Sequence, residues 1–245
     1  MAIAAFGMLG FFGLLFGMRE AAKDGGDASA GAALHGLRAI LNPKLLGGTL
    51  VTVMAYAGSF AAYTYIAPLL VQVTSISMST VSIFMLIYGV LAAVGSIMGG
   101  RMTDRLGADR ASLIIVAGIA GVVFGMWLLA YSPVGMAVLV ALLGVLSYAA
   151  VPALQARLLI GIAEVHAPRA HGVAAGLNIA GFNSGIALGS LLGATTIGTV
   201  GISFVGLAGA GVAGLGTLVL LVQMSRSRRL DLAVGGHKHD RPRKA

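Results

Sequence analysis

The chain contains no cysteine, which excludes disulfides and thiolate metal sites and leaves the redox compartment unspecified. Charge is scarce too: 10% of residues are Asp, Glu, Lys or Arg, against 58% apolar, with a mean hydropathy of +0.96. Ordinary soluble domains carry about 25% charged residues, so this composition argues against a soluble fold and places the chain in a bilayer. Its eight acids are Glu20, Asp24, Asp27, Asp104, Asp109, Glu164, Asp231 and Asp240. None of them, and none of the histidines, lies deep in an apolar run.

Enzyme chemistry finds little to work with. His166 and His171 sit on one connection and His237 and His239 in the C-terminal tail, without the spacing of a metal site inside the membrane. No phosphate-binding glycine loop and no nucleophile–base pair is visible. No cofactor and no metal is therefore expected.

What is present is a series of uncharged apolar runs at about 1–18, 45–71, 80–100, 111–131, 134–156, 172–197 and 201–224. Each is close to the length of about 20 residues that crosses a bilayer as a helix. The fold class expected is all-α integral membrane with seven spans. Residues 19–44 form a polar, Gly- and Ala-rich linker after the first span. Residues 225–245 form a basic tail with too little apolar content to pack, and disorder is expected there.

The ions are confined to one side of this arrangement. Of the 16 Lys and Arg, four fall in the linker, three between the third and fourth runs, two between the fifth and sixth, and seven in the tail. The alternate connections, QVTSISMS, YSP and IGTV, carry no charge. Basic residues collect on the cytoplasmic side of a membrane protein. The linker, the charged connections and the C-terminus are thus expected in the cytoplasm, in a multi-pass plasma-membrane protein. The net charge of +8 then reports topology and contact with the lipid bilayer. No nucleic-acid partner is expected, because such binding needs the basic residues on one folded face.

The densest charge lies in GGRMTDRLGADRAS, Gly99 to Ser112. Topology asks for arginines in such a turn but not for Asp104, Asp109 or the glycines. Gly100 is expected to let the chain leave the helix closely, and Gly107 to supply a positive-φ turn. An exposed ion pair contributes only about 0 to 1 kcal/mol, so a contact made and broken during function explains the acids better than stability does.

Gly100, Asp104, Arg105 and Gly107, spaced G-x-x-x-D-R-x-G, resemble the cytoplasmic loop signature of the major facilitator superfamily, G-x-L-a-D-r-x-G-r-k. The match falls between the second and third spans after the linker, where that family carries it in each six-helix half. AYAGSFAAYTYIAPLL (Ala55–Leu70) and GLNIAGFNSGIALGSLLG (Gly176–Gly193) are similar to the seventh and eleventh spans of its drug:proton antiporter branch, the arabinose-efflux-like and chloramphenicol-type exporters. The resemblance covers the whole chain. It implies the C-terminal portion of a secondary transporter: residues 1–18 as the last span of the N-terminal half, 19–44 as the central linker, and 45–224 as the six-helix second repeat. The remaining N-terminal half is then a partner outside this sequence. The resemblance further implies efflux of small molecules such as drugs or sugars by alternating access. It makes Asp104 and Arg105, with Arg101 and Arg110 beside them, a cytoplasmic gate contact. This sequence departs from the signature at Met102, Ala108 and Asp109, the last two standing where basic residues are usual.

Several helical faces are candidates for the transport path. Thr49, Thr52, Tyr56, Ser59 and Tyr63 recur at steps of three and four, which stacks five hydroxyls on one stripe. The stripe reads either as a wall of the substrate path or as interhelical hydrogen bonding. Gly181, Gly185, Gly189 and Gly193 form a small-residue ribbon for close helix packing. Asn178 and Asn183 are either substrate ligands or structural glue. Ser82, Gly89 and Ser96 read as a packing stripe with Tyr88 beside it, and Pro68 as a kink or a helix end. Tyr148, Pro152 and Gln155 approach the inner end of the fifth run, and Trp127 with Tyr131 read as interfacial anchors.

Proton coupling normally needs a titratable group inside the membrane, and residues 45–224 offer none. If the proton gradient drives transport, as the resemblance implies, the acceptor is expected in the other half; an uncoupled facilitator suits the residues equally. A seven-helix receptor or sensor, or a non-transporting membrane subunit, remains the alternative class, although a receptor gives no reason for the signature or the long linker.

Overall fold

The structure, a computed structural model, describes residues 41–163 and 171–238. The expected first span, 1–18, lies outside them, as does nearly all of the linker. In chain order the elements are α1 (Pro43–Tyr63), α2 (Ile66–Gln72), α3 (Met78–Leu106), α4 (Ala108–Leu128) and α5 (Pro133–Ala156). A π-helical stretch (Arg157–Ala163), α6 (His171–Thr199), a 3-10 turn (Ile202–Phe204) and α7 (Val205–Lys238) follow. Among the described residues, six helical stretches are long and apolar enough to cross a membrane: Pro43–Gln72, Met78–Leu106, Ala108–Leu128, Pro133–Ile160, Gly172–Thr199 and Ile202–Ser227. They correspond one to one with the six apolar runs after the linker.

Local chemistry sets the helix starts. Asn42 caps α1, its Oδ1 accepting from the Lys44 amide at 2.9 Å, and Pro43 stands in the first turn, where a missing N–H costs nothing. Ser77 and Ser132 cap α3 and α5 in the same way. Between α1 and α2 the helix breaks at Thr64 and Tyr65, four residues before Pro68. Proline cannot donate to the carbonyl one turn earlier, and the hydrogen bonding resumes with the Leu69 amide donating to the Tyr65 carbonyl at 3.0 Å.

α1 is the central helix, with Val51, Thr52, Ala55, Tyr56, Ser59 and Ala62 among its buried residues. It lies against α6 and α7, while α3 lies along α5. Large apolar side chains point outward from the bundle, including Ile83, Leu86, Val90, Val94 and Ile97 on α3 and Leu215, Leu218 and Leu221 on α7. An exposed apolar surface this continuous suits lipid or another helical body and would aggregate in water.

Three expectations are corrected here. The charged stretch is not a loop: α3 continues to Leu106 and α4 begins at Ala108. Gly107 alone joins them, at φ 81°. Its amide donates to the Thr103 carbonyl and its carbonyl accepts from Ala111, both at 3.0 Å, so one residue ends one helix and starts the next. Gly100 consequently forms no turn; it is interior to α3, and a Cβ there would meet nothing within 4 Å. Ser82, Gly89 and Ser96 are exposed, and the packed stripe of α3 is instead Val81, Phe84, Tyr88, Ala92, Gly95 and Gly99. A Cβ on Gly95 or Gly99 would collide with the backbone of Val145 or Ala149 on α5. Finally, α7 runs on to Lys238, past the expected tail boundary at 224. SRSRRLDLA contains no glycine or proline, and the helix also carries through Gly235 and Gly236.

Candidate functional site

The hydroxyl stripe of α1 turns toward three neighbours. Thr49 Oγ1 donates within its own helix to the Leu45 carbonyl, 2.9 Å. Thr52 Oγ1 donates to Asn178 Oδ1 on α6 at 3.1 Å. The Tyr56 hydroxyl donates to the Ser147 carbonyl on α5 at 3.3 Å, and Ser59 and Ser147 share a 2.6 Å hydrogen bond. The Tyr63 ring stacks on Tyr88 of α3, centroids 4.5 Å apart. These bonds satisfy buried polar groups that apolar surroundings would otherwise leave unpaired.

A row of rings continues from there. Phe182 meets Tyr56 edge-on at 4.4 Å, Phe60 meets Tyr63 at 5.3 Å, and Tyr88 meets Tyr148 at 6.4 Å. Beside it, α1, α5 and α6 border a half-open cavity of about 260 Å³, lined by Tyr56, Leu154, Gln155, Asn178, Phe182 and Asn183 among others. Of the stripe, therefore, Tyr56 lines the cavity, and Thr52 reaches it only through Asn178. Ser59 and Tyr63 are turned to other helices. The Asn178 carbonyl oxygen accepts from Thr52, and its amide NH2 makes no hydrogen bond among the described residues. Asn183 donates to the Ile179 carbonyl at 2.9 Å, which leaves its carbonyl oxygen as an acceptor. The lining thus combines flat apolar surface with neutral donors and acceptors, the mixture typical of small-molecule sites.

The glycine ribbon of α6 faces α1. A Cβ on Gly181 would stand 2.8 Å from Thr49 Cγ2, one on Gly185 2.7 Å from the Val53 carbonyl, and one on Gly193 2.6 Å from the Ala61 carbonyl. Gly189 meets the Ala57 backbone. This close approach is what lets Thr52 and Asn178 touch.

At the charged end of the bundle, Arg101, Asp104, Arg105 and Arg110 are exposed, and among the described residues none makes an ion pair. Arg101 and Arg105, one turn apart, border an open depression of about 340 Å³ with Met98, Met102 and Leu106. The ion pair that does form was not anticipated. Arg157 Nε donates to Asp109 Oδ1 at 2.8 Å, and Arg157 Nη2 to Gln223 Oε1 at 2.8 Å. Gln223 Nε2 in turn donates to the Gly47 carbonyl at 2.9 Å. Arg157 is only 5% exposed. The sequence carried a signal for this: an acid at 109, where the signature has a base, and a lone arginine closing an apolar run.

With this geometry in view, the comparisons with known proteins agree on a family. Residues 1–160 match the Major Facilitator Superfamily profile. Over 159 residues the chain is 37% identical to the uncharacterized MFS-type transporter YtbD of Bacillus subtilis, covering 64% of this chain and 39% of that protein. Over 199 residues it is 31% identical to the inner membrane transport protein YdhP of Escherichia coli K12, covering 80% and 48%. A chloramphenicol resistance protein of Streptomyces lividans is 30% identical over 163 residues, 66% and 40%. The chain belongs to the Major Facilitator Superfamily and is a multi-pass membrane protein. It spans less than half the length of these relatives.

Proposed function

We propose that this chain forms the C-terminal lobe of a secondary transporter that exports small neutral molecules by alternating access. One observation carries the reading: in a lobe otherwise built for lipid and for itself, three helices converge on a cavity lined by Gln155, Asn178 and Asn183 together with Tyr56 and Phe182. A partner lobe of similar architecture closes the other side of the path. The substrate is moved without a bond being made or broken. Sugars and amphenicol-like compounds both suit a neutral, partly aromatic wall. Burying a charged substrate there would go uncompensated, because among the described residues no charged side chain lines the cavity. If the proton gradient drives export, its acceptor belongs to the partner lobe.

In this reading the charged end faces the cytoplasm with the C-terminus, as the distribution of Lys and Arg favours. Asp104, Arg105 and Arg101, exposed along the last turns of α3, form the gate contact with the partner lobe. Gly107 keeps α3 and α4 joined through a single residue while that contact changes.

The experiment is drug and sugar efflux from a host stripped of its own exporters, with the chain expressed as part of its complete transporter. Asp104→Asn is expected to lower the efflux rate about tenfold, a loss on the scale of one charge-assisted hydrogen bond, at unchanged membrane abundance. Equal efflux at equal abundance removes the gate role; no efflux by the parent protein of any compound removes the transport reading.

A further inference from the structure

The helix that forms one wall of the cavity is interrupted twice near its inner end. Pro152 lies inside α5, where it leaves the carbonyl one turn earlier without its helical partner. From Arg157 onward the winding widens into a π-helix, a form found mostly as a local departure at functional sites. The Arg157 amide itself donates to both the Ala153 and Leu154 carbonyls. Leu154 and Gln155, which line the cavity, sit between these two departures. Helix continuity alone does not fix where they stand.

Arg157 supplies what continuity does not. An arginine at the end of a span ordinarily extends its long side chain outward to water and headgroups. This one turns inward, nearly fully buried, and divides its donors between Asp109 on α4 and Gln223 on α7. Gln223 passes the connection to Gly47 at the start of α1. One residue further on, Leu158 is buried in a small apolar cluster with Leu45 of α1 and Ala174 of α6. Only the arginine of this pair is buried, since the Asp109 side chain is 55% exposed, and an ion pair open to water on one side contributes little, about 0 to 1 kcal/mol, so stability is a poor account of this arrangement. Placement is a better one.

We propose that Arg157 is a positioning residue for the cavity: by pinning the inner end of α5 to α4 and α7, and through Gln223 to α1, it fixes Leu154 and Gln155 in the cavity wall. Asp109, which stands where the signature has a base, supplies the acid that Arg157 pairs with across the bundle. The inference rests on the transporter reading only in taking the cavity as the substrate path.

These 245 residues contain no cysteine, so once any cysteine elsewhere in the complete protein is replaced by serine the test is direct. A single Gln155→Cys reporter is placed in the complete protein in membranes, and its alkylation by a small water-soluble maleimide is timed against Ser79→Cys at the opposite end of the bundle. The backgrounds are Arg157 intact, Arg157→Gln, Gln223→Leu, and the swapped pair Asp109→Arg/Arg157→Glu. Arg157→Gln and Gln223→Leu are each expected to change the relative rate about fivefold, within the coupling range of side chains in one hydrogen-bonded network. The swapped pair is expected to return it toward the parent value. An unchanged rate in Gln223→Leu and Arg157→Gln overturns the proposal, and so does a swapped pair that stays displaced. Should Arg157→Gln fail to accumulate, Gln223→Leu and the swapped pair decide the matter. Alkylation needs no turnover, so an unchanged rate with intact efflux sinks the positioning role alone, while a shifted rate in a protein that exports nothing sinks the transport reading alone.

Discussion

At the residue scale, the polar side chains of this lobe divide into those that hold helices together and those left with a free valence. Ser59 with Ser147 and Thr52 with Asn178 belong to the first kind. Ser112 belongs to neither: its hydroxyl is buried and, among the described residues, is the one buried side-chain oxygen or nitrogen without a partner. Removing an unsatisfied buried hydroxyl is expected to be neutral or stabilising. Ser112→Ala should therefore hold or raise stability by about 1 kcal/mol, measured as thermal unfolding in detergent; a loss of similar size would show a partner for that hydroxyl. Asn183 and Gln155 are of the free kind, which is why they belong to the proposed path and Ser59 and Tyr63 do not. Periodicity in the sequence groups Thr52, Tyr56, Ser59 and Tyr63 correctly on one stripe. It carries no information on which neighbour each residue meets, because that depends on α3, α5 and α6 arriving from far along the chain.

At the element scale, backbone approach between helices is set by glycine. The ribbon on α6 was legible as a four-residue repeat. Gly95 and Gly99 on α3 were not, because Gly89 and Gly100 stand in the same helix and look the same in sequence. Only the course of α5 distinguishes them. Gly189 and Gly89 make the contrast measurable. Gly189→Val must displace α1, since even a Cβ meets the Ala57 backbone, and a cost of about 2 kcal/mol or more is expected from overpacking. At Gly89, which is exposed, a Cβ meets nothing within 4 Å, and Gly89→Val should remain within about 0.5 kcal/mol of the parent. Comparable losses at both positions, in the same unfolding assay, would contradict the α1–α6 contact. The junction of α3 and α4 teaches the opposite lesson. A charge-rich, glycine-containing stretch reads as a loop, yet Arg101, Met102, Asp104, Arg105 and Leu106 are helix-compatible residues, and one glycine at positive φ suffices to turn the chain.

At the scale of the whole molecule, the number and order of spans after residue 40 could be read from hydropathy, because a bilayer admits few other solutions for uncharged runs of this length. The Arg157–Asp109 pair could not, since Arg157 also satisfies the charge rule for topology and its sequence position carries no sign that it turns inward. The account as a whole makes the cavity between α1, α5 and α6 part of a water-filled path, while the outward faces of α3 and α7 meet lipid. The most direct measurement compares two single cysteines in membranes bearing the complete protein, Asn183→Cys in the cavity and Leu218→Cys on the outer face of α7, each reacted with a water-soluble thiol reagent. The thiolate reacts only where water reaches it, so Asn183→Cys is expected to react at least about tenfold faster. Equal, slow reaction at both positions would contradict the account.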